Sequence, residues 1–180
     1  YYRRADPLRH PLIFYYGHTA TFFMNKLVLG KYLQQRINPK FESQFAIGVD
    51  EMSWDDLNEA HYEWPKAEEV AEYRNQVRYA IDRLIDETPL TLPVDWNSLY
   101  WVIMMGIEHE RIHLETSSVL IRQLPTSLLD EQHPAWKICD EVSSSVPANE
   151  LVPVPGGSVQ QGKAQNDGLY GWDNEYGRYS

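Results

Sequence analysis

The sequence predicts a mainly α-helical bundle followed by the start of a β-rich domain. Three stretches between prolines carry apolar residues at intervals of three and four, the spacing that buries one face of an α-helix. After residue 146 the sequence becomes rich in proline and glycine and loses its helical period, which is typical of strands and turns. We therefore expect a helical domain over residues 1–146 and the truncated start of a second domain over residues 147–180.

The first predicted helix extends from Leu12 to about Tyr32. Gly17 lies inside it and costs about 1 kcal/mol relative to alanine, so we expect another group to approach the backbone closely there. Residues 33–65 contain prolines and a glycine and indicate an irregular connection, within which Ser53–Asp56 has the spacing of a helix N-terminus.

Two further helices complete the predicted bundle. One begins after Pro65 and ends near Thr88, before a proline-containing linker. The next begins with Asp95 as its N-cap and continues to about Gln123. Since three helices are one short of the commonest bundle, we expect an antiparallel four-helix bundle whose first helix precedes the numbered residues.

Charge and composition argue against several classes of partner. The formal net charge is −10 at pH 7, which is unfavourable for binding nucleic-acid phosphates or anionic membrane surfaces. The sequence has no apolar run long enough to span a membrane and no signal-peptide pattern at its N-terminus. Its single cysteine, Cys139, has no partner for an internal disulfide. We expect a cytoplasmic protein that acts on small molecules, with no nucleic acid and no membrane as partner.

Two histidines in the third predicted helix are candidate metal ligands. His109 and His113 are four residues apart, so their imidazoles project from one helical face and can hold one ion between them. The apolar sequence before them predicts a buried helix, in which unpartnered imidazoles would be costly. By contrast, His10, His61 and His133 stand in polar or proline-adjacent contexts and are expected on the surface.

The stretch from His109 to His113 also matches His-Glu-x-x-His, the signature in which two histidines bind zinc and a glutamate activates water for hydrolysis. Glu110 would be that base. A third zinc ligand would then come from further along the chain, and Glu131 and Glu141 are candidates. A zinc-dependent hydrolase is therefore one hypothesis.

His18 in the first helix offers a different third ligand. Two histidines from one helix and one from an antiparallel neighbour make a three-histidine face that leaves the opposite coordination positions open. Because neutral imidazoles leave the +2 charge of the ion uncompensated, such a site favours a bound thiolate. Arg74 and Arg78 in the second helix either form ion pairs on a solvated face or bind a substrate carboxylate.

Several motifs resemble the 5-histidylcysteine sulfoxide synthases, iron enzymes that open ovothiol biosynthesis and are related to the hercynylcysteine sulfoxide synthases of the ergothioneine pathway. The helical part carries the motifs Arg4–Pro11, Tyr16–Ala20, Gly48–Asp56 and Gly106–Ser118. The segment from Val154 to Gly177 is similar to the opening of the family's second domain. The resemblance implies a DinB-like helical domain followed by the start of a formylglycine-generating-enzyme-like (sulfatase-modifying factor) domain.

The resemblance also implies a site and a reaction. His18, His109 and His113 would hold a non-haem Fe(II). The family reaction uses dioxygen to join the sulfur of cysteine to an imidazole carbon of histidine and to oxidise that sulfur. Glu110 and Glu115 are rotated about 100° and about 160° from the ligand face, so we expect them to support the ligands rather than to bind the ion.

By the same resemblance, the main substrate pocket would lie beyond Ser180, in the rest of the second domain on a longer chain or on a partner. Many family members also carry a methyltransferase domain. The segment alone would then bind iron but turn over slowly. Two other hypotheses stay open: a DinB-like metal-dependent thiol transferase with the same three histidines, and a metal-stabilised interaction domain without turnover.

Overall fold

The computed structural model describes residues 1–46, 63–130, 132–134 and 148–177. The chain divides into two compact units, Tyr1–Leu124 and Pro125–Ser180. The predicted domain boundary after residue 146 adjoins residues outside this description, and it stays a prediction. The predicted helix start at Ser53–Asp56 also lies outside the described residues.

The described residues of the first unit form three long helices and one short one. Their bounds are α1 Leu12–Leu29, α2 Pro39–Gln44, α3 Ala67–Glu87 and α4 Leu99–Arg122. The long helices α1, α3 and α4 confirm the three that the apolar spacing predicts. Among the residues that the structure describes, none of these helices is both long and apolar enough to cross a membrane.

The short helix α2 corrects the prediction of an irregular connection over residues 33–65. Asn38 is its N-cap and accepts a hydrogen bond from the Phe41 N–H at 3.1 Å. Pro39 occupies the first turn, where its missing N–H has no intrahelical acceptor to lose. Asparagine and proline punctuate loops but also begin helices, so composition alone does not separate the two cases.

The N-terminus of α4 corrects a second expectation. Its N-cap is Ser98, whose hydroxyl accepts a hydrogen bond from the Trp101 N–H, and not Asp95. The Asp95 carboxylate instead accepts from the Asn97 N–H at 2.8 Å and holds the turn that leads into the helix. Aspartate and serine both cap helices. The spacing of the apolar residues does not show whether the helix begins at Asp95 or at Ser98, three residues later.

α1 lies at the centre of the first unit and packs against α2, α3 and α4. It is apolar around most of its circumference, and Ile13, Phe14, Met24 and Leu27 are fully buried. Burying a large apolar side chain stabilises the fold by about 1.5–3 kcal/mol. The central position of α1 lets its side chains face α4 directly.

α1 and α4 run antiparallel. Tyr15 of α1 lies beside His113 of α4, whereas Phe23, further along α1, lies against Gly106, earlier in α4. A Cβ atom at Gly106 would overlap the Phe23 ring, so glycine allows the two helices to approach closely at this point. The antiparallel neighbour that a three-histidine site needs is therefore present.

The second unit has little regular structure in its described residues. Two short 3-10 helices span Thr126–Leu128 and Asp173–Glu175. An isolated parallel bridge joins Lys163 to Tyr176, and the described part of this unit has no named strand. The expected β-rich domain therefore remains a prediction.

Candidate metal centre

Three histidines from two helices meet in the first unit. His18 of α1 faces His109 and His113 of α4, and the potential ligand nitrogens of all three lie within 4.8 Å of one another. The His109 Nε2 atom is 3.1 Å from Nε2 of His18 and 3.1 Å from Nε2 of His113. The structure therefore brings together the three residues that the sequence predicts as ligands.

The far nitrogen of His18 is held by the backbone. Its Nδ1–H donates to the carbonyl oxygen of Phe45, the C-cap residue of α2, at 2.6 Å. In the neutral ring this bond places the proton on Nδ1 and leaves a lone pair on Nε2, which faces the other two histidines. A hydrogen bond from the remote nitrogen is the arrangement that orients metal-binding histidines.

Aromatic side chains of α1 cover the imidazole rings. Phe22 stacks on His109 with ring centroids 3.8 Å apart, and Phe14 stacks on His18 at 5.2 Å. The Tyr15 ring is tilted against His113 at 5.6 Å. These rings cover the imidazoles on the α1 side and restrict their rotation.

The environment keeps the two α4 histidines neutral. Burial, followed by the neighbouring imidazoles of His113 and His18, lowers the pKa of His109 to about 3. Burial and then His18 lower the pKa of His113 to about 4, although the charge of Glu110 opposes this shift. Neutral imidazoles at pH 7 are the form that binds metal ions.

The donor set fits a first-row divalent metal ion. Two nitrogens bound to one ion at about 2.1 Å are about 3.0 Å apart at a right angle and about 3.4 Å apart at the tetrahedral angle. The 3.1 Å separations on either side of His109 therefore suit two ligands of one ion, and the nitrogens of all three histidines lie within 4.8 Å of one another. One cation would accept all three lone pairs, whereas a single proton shared between two imidazoles satisfies only one contact.

Arg74 and Glu110 form an ion pair beside the cluster. The Arg74 guanidinium donates to the Glu110 carboxylate at 2.7 Å, and it also donates to the Tyr16 carbonyl and the Thr19 hydroxyl. Arg74 therefore joins α3 to both α1 and α4 at the level of the histidines. The Glu110 oxygen that accepts from Arg74 also accepts from Thr19 at 3.4 Å, which favours a structural role over that of a hydrolytic base.

Arg78 and Glu115 have more exposed positions than Arg74 and Glu110. The Arg78 side chain is 83% exposed, with its Nε atom 3.9 Å from the Asp82 carboxylate. It lines a cavity of about 290 Å³ together with Arg74, Glu110 and apolar residues of α1 and α3. Glu115 lies on the exposed surface of α4. The predicted roles of the two arginines in substrate binding, and of the two glutamates in supporting the ligands, stay predictions.

The predictions for the remaining histidines and glutamates have three different outcomes. The surface prediction is wrong for His10, which is 4% exposed and lies 4.2 Å from the Phe14 ring because the segment before α1 folds onto its first turn. It is confirmed for the exposed His133. His61 and the alternative zinc ligands Glu131 and Glu141 lie outside the described residues.

The residues that orient His18 were not among the predicted site residues. The Phe45 carbonyl bonds to its ring, and the fully buried Glu42 stabilises the short helix that carries Phe45. Two features of the sequence nevertheless point toward this arrangement. Gly17 predicts a close approach, and the Phe45 ring occupies that space, since a Cβ atom at Gly17 would lie 2.5 Å from it. Asn38 followed by proline is a helix start.

A model of the DinB superfamily matches residues 1–117, a range that contains all three histidines. The chain belongs to the DinB superfamily. It is also 29% identical over 182 residues to Ergothioneine biosynthesis protein 1 of Neurospora crassa, an alignment that covers 93% of this chain. The chain spans only 20% of the length of that relative.

Proposed function

We propose that this DinB-superfamily chain is the metal-binding helical part of a non-haem iron(II), dioxygen-dependent sulfoxide synthase. In the reaction, the S–H bond of cysteine and an imidazole C–H bond of histidine are lost as the sulfur bonds to that carbon. Dioxygen is the oxidant: one of its oxygen atoms becomes the sulfoxide oxygen and the other leaves as water. The observation that carries the proposal is the convergence of the His18, His109 and His113 nitrogens in one largely buried cluster. The likeness to an ergothioneine biosynthesis protein supports this class of enzyme, and so do the motifs shared with the sulfoxide synthases.

The cluster suits thiol chemistry because its ligands would not compensate the charge of a bound ion. Three neutral imidazoles leave the full +2 charge of a bound ion to attract a thiolate, whereas carboxylate ligands would compensate it. Fe(II), when bound, would supply the redox chemistry with dioxygen. The residues of this chain would hold the ion, and the rings of Phe14, Tyr15 and Phe22 would exclude water on the α1 side.

Iron binding is the first test. Anaerobic titration of the purified chain with Fe(II) should reach one ion per chain. The variants His18→Ala, His109→Ala and His113→Ala should each weaken binding by more than about tenfold, since loss of a ligand costs at least as much as loss of its outer partner. His133→Ala, on the exposed surface, is the matched control and should bind as the wild type does. Equal binding by His18→Ala would contradict the three-histidine site.

Substrate choice requires a longer chain that contains the rest of the proposed formylglycine-generating-enzyme-like domain. The shared motifs favour histidine as the acceptor, as in ovothiol biosynthesis. The Neurospora relative is named for ergothioneine biosynthesis instead, and a methylated histidine is the alternative acceptor. Oxygen uptake should therefore be compared with cysteine plus histidine and with cysteine plus Nα-trimethylhistidine. The 180-residue chain should show uptake near background, and full activity there would contradict the assignment of the substrate pocket to the second domain.

Membership of the DinB superfamily also supports a second candidate, a metal-dependent thiol transferase that uses the same histidines. A transferase works without oxygen, whereas the sulfoxide synthase cannot. Thiol consumption by the longer, metal-loaded chain under strictly anaerobic conditions would therefore favour the transferase. A zinc hydrolase, the third possibility, would instead cleave a peptide substrate in a manner that depends on Glu110.

A further inference from the structure

We infer that Glu42 is a positioning residue for the metal centre. It holds the short helix α2 so that the Phe45 carbonyl fixes the tautomer and the orientation of the His18 ring. This inference rests on the proposed function in one respect, because it assigns the consequence to metal binding by His18. Its effect on the His18 ring itself does not depend on a metal.

Glu42 is a buried carboxylate with a full set of partners. The residue is 1% exposed, and one carboxylate oxygen accepts from the backbone N–H groups of Ile37 and Asn38, both at 2.9 Å. The other oxygen accepts from the Arg36 guanidinium at 2.8 Å. A buried charge is tolerated only when such partners are in place, so the surrounding backbone has one favourable arrangement.

These bonds close the N-terminus of α2 and attach it to α1. Glu42 lies within α2, while its backbone donors Ile37 and Asn38 lie immediately before the helix. The same Arg36 guanidinium donates to the Asn25 side-chain oxygen of α1 at 2.7 Å. The Asn25 amide in turn donates to the Glu42 carbonyl at 3.3 Å. The position of α2 relative to α1 therefore depends on Glu42.

The other end of α2 reaches the metal centre. Phe45, the C-cap residue, lies three positions after Glu42, and its N–H donates to the Phe41 carbonyl at 2.8 Å. Its ring packs over Gly17, and its carbonyl accepts from His18 Nδ1–H at 2.6 Å. Less than one helical turn separates the buried carboxylate from the carbonyl that orients the ligand.

Loss of the Glu42 charge should therefore act on His18. If the Phe45 carbonyl shifts, His18 can place its proton on Nε2, and that tautomer has no lone pair directed at the cluster. His18 would then have to return to the tautomer that is protonated on Nδ1 before its Nε2 atom could bind the ion. The outer partner of a metal-binding histidine typically contributes 10–100-fold to metal affinity.

The test compares Glu42→Gln with Glu87→Gln, its matched control. Glu87 also accepts from an arginine, Arg83, at 2.9 Å, but on the exposed surface of α3. Ring-nitrogen NMR of the metal-free proteins should show His18 protonated on Nδ1 in the wild type and the control. The Glu42→Gln variant should show a mixture of tautomers, and its dissociation constant for Fe(II) should rise about 10–100-fold.

A second variant keeps the experiment decisive if Glu42→Gln does not fold. Arg36 is partly exposed, so Arg36→Met removes the ion pair but keeps both backbone bonds to Glu42. It should shift the tautomer and the Fe(II) affinity in the same direction by a smaller factor. A folded variant with an unchanged His18 tautomer and unchanged affinity overturns the inference.

The two proposals fail in different ways. If the wild type binds no Fe(II) while Glu42→Gln changes the His18 tautomer, the proposed function is wrong and the positioning role of Glu42 stands for the ring alone. If His18→Ala weakens Fe(II) binding and Glu42→Gln changes neither readout, the metal site stands and the role of Glu42 is wrong.

Discussion

His18 and the two histidines of α4 differ in how their rings are held. The remote nitrogen of His18 donates to a backbone carbonyl, which fixes its tautomer. The Nδ1 atoms of His109 and His113 are buried and have no hydrogen-bond partner among the described residues. The orientation of these two rings therefore depends on the helix, on each other and on aromatic contacts.

The difference means that the ligands of one site are oriented by two separate parts of the structure. His18 is oriented before any ion binds, at the cost of maintaining α2 and its buried glutamate. The α4 pair keeps its spacing through four residues of regular helix, which needs no extra support. The ion would bind the Nε2 atoms of this pair and so hold the two rings from the side opposite their Nδ1 atoms. Four experiments can break or sharpen this comparison.

The largest expected effect is acid destabilisation of the metal-free protein. The pKa values of His109 and His113 are about 3 and about 4, below the value of about 6.5 in an unfolded chain. Above about pH 7.5 both groups are almost entirely neutral in both states, and they add little pH dependence. Between pH 6.5 and about 4 the unfolded chain binds protons that the folded protein does not, so the free energy of unfolding falls as the pH falls.

Urea unfolding in the presence of a chelator, at steps between pH 7.5 and 4, measures this slope. Each histidine contributes at most about 1.4 kcal/mol per pH unit. His109→Gln should lower the slope in this window, whereas His133→Gln, on the exposed surface, should leave it unchanged. A wild-type free energy of unfolding that stays constant from pH 6.5 to 4 would disprove the depressed pKa values.

Gly106→Ala should act on both halves of the site at once. Alanine normally stabilises a helix interior relative to glycine by about 0.5–1 kcal/mol. Here the new Cβ would overlap the Phe23 ring and push α1 away from α4, so we expect destabilisation of about 1–3 kcal/mol and weaker metal binding. Gly156→Ala, which has open space around it, should leave the unfolding of the first unit unchanged. Stabilisation by Gly106→Ala would show that the helices can separate freely.

The sequence carries enough information for the long helices and the three histidines. The apolar period of α1, α3 and α4 is a local property, and the separation of His109 and His113 by four residues follows from helix geometry alone. The approach of His18 also had a signal, because Gly17 beside it indicated a close neighbour. The identity of that neighbour, Phe45, depends on how the chain folds back between α1 and α2, and local patterns do not determine that.

The wrong prediction for His10 and the burial of Glu42, for which the sequence made no prediction, have the same cause. His10 stands between an arginine and a proline, a context typical of the surface, yet it is buried against Phe14 and Trp64. Glutamate is a residue type that is mostly exposed, yet Glu42 is buried and bonded to the backbone that precedes its helix. In both cases tertiary contacts override local composition, because a polar group can be buried wherever its partners are provided.

Arg74→Met should separate a structural role from a role in substrate binding. The change removes the bonds that join α3 to Tyr16, Thr19 and Glu110, so we expect destabilisation of about 1–3 kcal/mol in the metal-free protein. Arg78→Met, at an exposed position, should change stability by less than about 0.5 kcal/mol. Equilibrium unfolding measures both. If Arg74→Met keeps full stability and raises only the KM of the longer chain, the arginine binds substrate instead.

The smallest expected effect separates the two ways of holding a ring. Phe22→Leu keeps an apolar contact but removes the ring stacked at 3.8 Å on His109, whose remote nitrogen has no hydrogen-bond partner in the described part of the chain. Aromatic pairs contribute about 0.5–1.5 kcal/mol beyond their buried area, so the dissociation constant for Fe(II) should rise about 2–13-fold. Tyr79→Leu, an exposed aromatic of α3, is the control and should not change it.

The same variant should leave the His18 tautomer unchanged in the metal-free protein, because the Phe45 carbonyl and not the aromatic contact determines it. Ring-nitrogen NMR of Phe22→Leu therefore tests the comparison itself. A change at His109 with none at His18 means that the two ligands are oriented independently. A change at both means that the cluster is one coupled unit, and that the backbone bond to His18 does not act alone.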